Sequence, residues 1–490
     1  MIKCITEQPL QAGTSMSTFY GRERELSVLK ERLDSRVASL VVITGRRRIG
    51  KTRLIEEFGK PLKTLTFTGL PPDDKVTAEI ERDHFARELQ RELGIRGISS
   101  DDWDDLLWQL GQHVQQGRVL IVFDEINWMS TRDPSFLGKL KTAWDTHFKK
   151  NPKLILILSG SMSGWIEKNI LRNTGFFGRI SLEIILDELP LFECNRFWGN
   201  QTGRISPYEK FKLLAITGGI PRYLEEINPK ISSEENIRQL CFRKEGLLFR
   251  EYDRICTELF AKKGKTYLNI LTFLSKGSAL LSDIYKYLEI TKTGAVSEYL
   301  EDLERIGYVA RDNTWHIKDG KVSPNSLYRL KDNYLRFYFR YIAPHKNTIE
   351  RGATLSPPNW SSILGLQFEN LVLNNRKSIY HFLQIPLEDV LIDNPYLQSK
   401  TSSRSGCQID YLIQSKFQNL YICEIKFQKD PIKKNIISEV DKKVNALKTP
   451  RGFSKRTVLI HVNGVDESVE ESNYFAKIID FGTLLTTHIP

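Results

Sequence analysis

Leu40-Val-Val-Ile-Thr44 followed by Gly45-Arg46-Arg47-Arg48-Ile49-Gly50-Lys51-Thr52-Arg53 and then Leu54-Ile-Glu-Glu-Phe58 is the stretch on which the fold turns. The first run is short, apolar and β-branched, as a strand covered on both faces should be. In the last run Leu54, Ile55 and Phe58 recur at helical spacing. Between them lies GxxxxGKT, and a strand before it with a helix after it is the context that gives this motif its meaning. The glycines let the backbone curl so that successive N–H groups point at phosphate, with a helix N-terminus behind them. Lys51 is expected to reach the β- and γ-phosphates and Thr52 to offer its hydroxyl to Mg²⁺. Residues Gly45 through Arg53 are the candidate nucleotide contacts.

About seventy residues on, Val119-Leu-Ile-Val-Phe123 ends in Asp124-Glu125. A buried strand of this kind delivers acids to the C-terminal edge of a sheet, where ligands sit in open α/β folds. Asp124 is expected to hold Mg²⁺ through water, and Glu125 to act as general base on the attacking water. Leu154-Ile-Leu-Ile-Leu158 runs into Ser159-Gly160-Ser161, which makes Ser161 a candidate for the γ-phosphate or the water. Gly178-Arg179 precedes the strand pattern Ile180–Ile184, so Arg179 is a candidate cation for the transferring phosphate, within the chain or from a neighbouring copy.

Working outward, 490 residues predict about three domains. The chain is 40% hydrophobic and 27% charged, which excludes a collagenous or wholly disordered protein. Its formal charge of +11 suggests a polyanionic partner. Residues 240–364 hold about six of those excess positives. No apolar run approaches the roughly 18 residues of a membrane span. The start lacks a secretory h-region, and the six cysteines show no zinc or disulfide spacing, so a reduced, cytoplasmic protein with no membrane partner is expected.

Predicted organisation is a flexible lead-in over 1–18, an α/β phosphate-loop core over 19–198 and a helical lid over 199–262. Three short helices and a hairpin follow over 263–345, the order of a winged helix-turn-helix, ending in the aromatic helix Tyr334–Tyr341. Its third helix is placed at Thr293–Ile306, with Lys292, Thr293 and Ser297 near the start as DNA contacts. Its hairpin is placed at Tyr308–Arg311 and Thr314–Ile317, turning at Asp312-Asn313. A linker over 346–361 leads to a second α/β domain over 362–490.

The segments FYGREREL (19–26), GRRRIGKT (45–52), VFDEINW (122–128), LSGS (158–161), FGRI (177–180) and GGIPRYL (218–224) together resemble the prokaryotic archaeal-type ATPases of the STAND-like MNS clade, within the AAA+/ASCE P-loop NTPases. The resemblance covers about residues 19–345. It implies ATP and Mg²⁺ as cofactors, and a place for Gly21 and Arg22 near the adenine base. The three arginines in the loop depart from the ordinary pattern and are read as phosphate or DNA contacts, or as exposed charge.

In the last domain Glu369 lies on the helical stretch Leu366–Leu373, Asp410 in Gln408–Ile413, and Glu424-Ile425-Lys426 in Leu420–Phe427. Strand residues two apart share a face, so Glu424 and Lys426 point the same way and an antiparallel neighbour brings Asp410 beside them. Asp410 and Glu424 are expected to hold Mg²⁺ or Mn²⁺, with Lys426 orienting or activating water. The set resembles the PD-(D/E)XK nuclease core, except that Ile409 stands where a proline usually precedes the first acid. A polar sheet face, or an inactive relative of that fold, is the alternative. Lys442 and Lys443 are read as auxiliary bases or as a solvated helix face.

These readings converge on an ATP-hydrolysing protein associated with double-stranded DNA, able to self-associate, with a metal-dependent nuclease-like domain. The alternative is a nucleotide-controlled regulator or STAND-type switch whose nuclease fold serves for docking.

Overall fold

The computed structural model describes residues 18–71, 75–99, 101–130, 133–161, 164–259, 264–290, 294–356, 361–400, 402 and 405–488. Lys292, Thr293 and all but the last residue of the expected lead-in lie outside them. Strands β1 (Ser39–Gly45), β2 (Lys63–Thr68), β3 (Val119–Asp124), β4 (Leu154–Ser161) and β5 (Ile180–Leu186) form a parallel sheet in the order β2-β3-β4-β1-β5. The apolar runs of β1, β3 and β4 are buried on both faces. Val41, Ile43, Leu120, Val122, Ile155 and Ile157 face one core, and Leu40, Val42, Ile121, Phe123, Leu156 and Leu158 the other. This alternation is the strand period expressed in packing. The phosphate loop leaves β1 between its neighbours β4 and β5 and enters the helix Lys51–Gly59.

Helices Pro207–Thr217, Pro221–Leu224, Ser233–Cys241 and Leu247–Leu259 follow. Next come helix Gly264–Leu274, β6 (Ala279–Leu280), helices Leu281–Leu288 and Gly294–Ile306, and the hairpin β7 (Val309–Trp315) with β8 (Val322–Leu330), in an antiparallel sheet ordered β6-β8-β7. The hairpin does not turn at Asp312-Asn313. Both residues lie inside β7, opposite Leu327 and Ser326, and the chain reverses across His316–Lys321 instead. Asp312 is polar in a strand because Arg329 on β8 donates to it at 2.8 Å, both side chains being buried. Asn313 accepts from Ser326 at 2.8 Å. Turn chemistry in the sequence is outweighed here by cross-strand partners.

The last sheet is mixed, ordered β13-β12-β11-β10-β9. It comprises β9 (Val390–Gln398), β10 (Cys407–Ser415), β11 (Asn419–Lys426), β12 (Ser454–His461) and β13 (Lys477–Asp480), with β9, β10 and β11 antiparallel and β11, β12 and β13 parallel. Helix Ser361–Leu373 covers one face and helix Asn435–Ala446 packs at the other. Aromatic packing and hydrogen bonds bind this part to the rest. Phe211 lies against Phe368, Phe427 and Phe481 at ring centroid distances of 5.6, 5.2 and 5.5 Å. Trp315 of β7 donates to Gln414 of β10 at 2.6 Å. Within the expected linker, Lys346–Glu350 is helical and its Ile349 is fully buried. Among the described residues no helix is long and apolar enough to cross a membrane.

Candidate functional site

The loop geometry follows from its glycines. Gly50 has φ of 92° and caps the Lys51–Gly59 helix, a conformation side-chain-bearing residues rarely adopt. A Cβ on Gly45 would lie 2.8 Å from the carbonyl oxygen of Leu186. The result is a cleft of about 500 Å³ lined by the loop and by Tyr20, Phe197, Pro221 and Arg222. Lys51, Thr52 and Glu125 all line it.

At its floor the Thr52 hydroxyl donates to Asp124 Oδ2 at 2.9 Å. Asp124 Oδ1 accepts from the Glu125 amide at 3.1 Å. Glu125 is held in the left-handed region, φ 50° and ψ 47°, a strained conformation for this residue. Its Oε2 is buried with no hydrogen-bond partner. Burial pushes its carboxyl above the usual range, and the nearby Asp124 adds to this, while Lys51 and the Ser161 backbone N–H oppose it. Ser161 therefore takes part through its main chain, at the end of β4 and in register with Gly45. The Lys51 ammonium donates to the Gly45 and Arg46 carbonyls at 3.1 and 3.4 Å, and burial draws its pKa down. A hydroxyl and a carboxylate in contact are hard oxygen donors that suit Mg²⁺.

The arginines divide. Arg47, Arg48 and Arg53 all line the cleft. Arg46 does not turn to phosphate: its guanidinium is buried 2.6 Å from Asp332. Arg48, at the cleft wall, also pairs with the buried Glu251 of the Leu247–Leu259 helix. Arg22 borders the cleft, yet its guanidinium donates to the carbonyls of Ile49 and Asp187 at 3.0 and 2.5 Å, and its amide donates to Glu193 at 3.0 Å. It fastens the loop from behind, while Gly21 beside it allows the close approach of Glu193. Arg179 precedes β5 at the end where Ile180 pairs with Leu40, the opposite end of β1 from the loop. It is tied to Asp145 at 2.9 Å, so it cannot reach a phosphate in its own chain. Sequence reading did not single out Tyr20 and Phe197, whose rings stand 5.1 Å apart at the cleft, nor Arg222. Tyr20 and Arg222 lie within motif segments, whereas Phe197 carries no local signal.

In the C-terminal sheet Asp410 sits at an irregularity of β10, between Ile409 and Leu412, and accepts from the Ile425 amide at 3.0 Å. Lys443, on helix Asn435–Ala446, reaches Glu424 Oε2 at 2.5 Å and Asp410 Oδ1 at 3.4 Å. The two acids thus face one point, and an ammonium lies there. Burial, with Asp410 next, raises the carboxyl of Glu369 to about 7, against the pull of Arg329 and Arg336. Lys426 pairs with Glu439 at 2.9 Å. Asp410 and Glu424 are oxygen donors of the kind a divalent ion takes, but Lys443 fills the gap between them. Among the described residues no three carboxylate, imidazole or thiol groups converge as a metal cage.

Residues 19–227 match the family described as an ATPase domain predominantly from Archaea. An uncharacterized protein of Methanocaldococcus jannaschii is 27% identical over 334 residues, which are 68% of this chain and 71% of that protein. The Walker-type ATPase of Pyrococcus abyssi aligns at 18% identity and a TM-score of 0.48, over 66% of this chain and 96% of its own. The ORC2 protein of Aeropyrum pernix, solved as ADPNP–ADP complexes, aligns at 13% and 0.44, over 68% and 95%. Over residues 19–227, then, the chain is similar to ATPase domains of the archaeal type.

Proposed function

We propose that the protein binds ATP with Mg²⁺ in the Gly45–Arg53 cleft and hydrolyses it, acting as a DNA-associated ATPase with a C-terminal nuclease-like domain. The contact between Thr52 and Asp124, with Glu125 locked beside it, carries the reading. Thr52 and Asp124 would hold the metal, which supplies positive charge to the phosphates. Lys51 leaves its two carbonyls for the β- and γ-phosphates. Glu125 accepts the proton of the attacking water, and its buried, unpartnered oxygen suits a base awaiting a donor. Tyr20 and Phe197, with the Gly21-Arg22 turn next to them, would border the adenine.

Association with double-stranded DNA is supported by the excess positive charge of 240–364 and by the winged-helix order of the 264–330 elements, with Ser297 on the Gly294–Ile306 helix. Neutralised phosphates release counterions, so binding should weaken steeply with salt. Glu369, Asp410, Glu424 and Lys426 are read as a nuclease-like set, in which Asp410 and Glu424 would hold Mg²⁺ or Mn²⁺ once the Lys443 ammonium had left them. The Lys443 ammonium at that place favours a second reading, in which the domain is a docking module that does not cut. Plasmid nicking in Mg²⁺ or Mn²⁺ decides between them. Cleavage lost in Glu424→Ala supports the nuclease; a wild-type chain that hydrolyses ATP and leaves DNA intact supports docking.

A further inference from the structure

We infer that Arg46 is a positioning residue: its buried ion pair with Asp332 fixes the phosphate loop in the form that receives nucleotide, and so ties nucleotide affinity to the C-terminal half of the molecule. The inference rests on the reading of the cleft as an ATP site.

Arg46 meets the rest of the chain in two ways at once. Its guanidinium, 8% exposed, lies 2.6 Å from Asp332 and 3.7 Å from Glu188, and over the Tyr308 ring at 5.4 Å. Its carbonyl oxygen accepts from the Lys51 ammonium. When phosphate draws Lys51 away, the anchored side chain determines where that peptide stays.

The anchor is itself held by further buried hydrogen bonds. Asp332 Oδ1 caps the Asn333–Phe337 helix through the Leu335 amide at 2.5 Å. Within that helix Arg336 donates to Gln367 Oε1 at 2.8 Å and to the Leu330 carbonyl at 2.9 Å. Asn370 donates to the Leu330 carbonyl and to Asn333 Oδ1, each at 2.9 Å. Gln367 and Asn370 are fully buried and flank Glu369 on the Ser361–Leu373 helix. Glu188 accepts from the Gly219 amide at 3.1 Å, which joins the turn before Pro221 to the same hub. A buried, densely bonded polar cluster holds one geometry, and losing one charge of a buried pair leaves the other uncompensated.

A double-mutant cycle on the full chain tests this, reading the affinity of a fluorescent ATP analogue. Arg46→Gln and Asp332→Asn are each expected to weaken binding about tenfold, and the double variant no more than either alone, because both act through one contact. Amide exchange over residues 45–52 should rise in each. Arg46→Lys, which keeps the charge, should bind better than Arg46→Gln, and it carries the test where a single neutral variant melts below the assay temperature. Losses that multiply in the double variant, or single variants that bind as wild type, overturn the inference while leaving the ATP site in place. A wild-type chain that binds no nucleotide overturns the reading of the cleft, and the inference with it.

Discussion

Lys51 shows how much a residue's type and place along the chain can say by themselves. Its position after two glycines, with a strand before and a helix behind, is local information, and so are Thr52 and the Asp124-Glu125 pair. These were legible because the motif and its supporting elements are contiguous in sequence. The partners of Arg46, Arg48 and Arg179 were not, since Asp332, Glu251 and Asp145 reach them only through the fold. Two outcomes belong to this scale. Lys51→Ala should lower ATP affinity by about tenfold or more, because a charge-assisted contact to phosphate is lost, and unchanged affinity in equilibrium binding would contradict its role. The raised pKa of Glu125 implies that turnover falls on acidification from a pH above the ordinary carboxylate range, since only the ionised form accepts a proton. A pH–rate profile in kcat with no loss on acidification above the ordinary glutamate value of 4.5 would remove Glu125 as base.

At the scale of elements, β2 is one of the two edge strands of the parallel sheet, and its outward N–H groups need partners. Helix Ala78–Leu93 supplies them. Glu81 accepts from Leu70, Glu88 from Thr68 and Glu92 from Thr66, so alternate amides of the edge meet successive carboxylates. Burial raises the Glu81 carboxyl from the ordinary 4.5 to about 7. Between those values the native state keeps a proton that the unfolded chain releases. Stability from this group is therefore full below pH 4.5 and is lost as pH rises to about 7. Glu81→Gln keeps an acceptor for Leu70 without the charge. It should flatten the decline in melting temperature over that window and melt higher than wild type at pH 8. A variant with the wild-type slope would contradict the assignment. The ends of β1, β3 and β4 were read from sequence to within a few residues, because buried strands announce themselves by apolar runs. The β7–β8 reversal was misplaced because Asp312 and Asn313 are turn residues by type that here have cross-strand partners.

At the scale of the molecule, a chain expected to fall into separate domains shares a continuous core. That core runs from Val41 and Ile43 through Phe211 to Phe368, Cys423 and Phe481. Composition does not reveal such joins, since Phe211 meets Phe368, Phe427 and Phe481 only after four separate elements have assembled. A chain ending at residue 356 should expose the aromatic face around Phe211 and aggregate. A monodisperse fragment with a cooperative melt would show that the core divides. The coordination of the whole bears on one claim above all, that the cleft turns over ATP with Glu125 as its base, and Glu125→Gln in the full chain tests it most directly. Measured together, ATP binding should persist while steady-state hydrolysis falls by at least about 100-fold, within the range expected for a lost general base. Turnover within a few-fold of wild type, with binding intact, would contradict it.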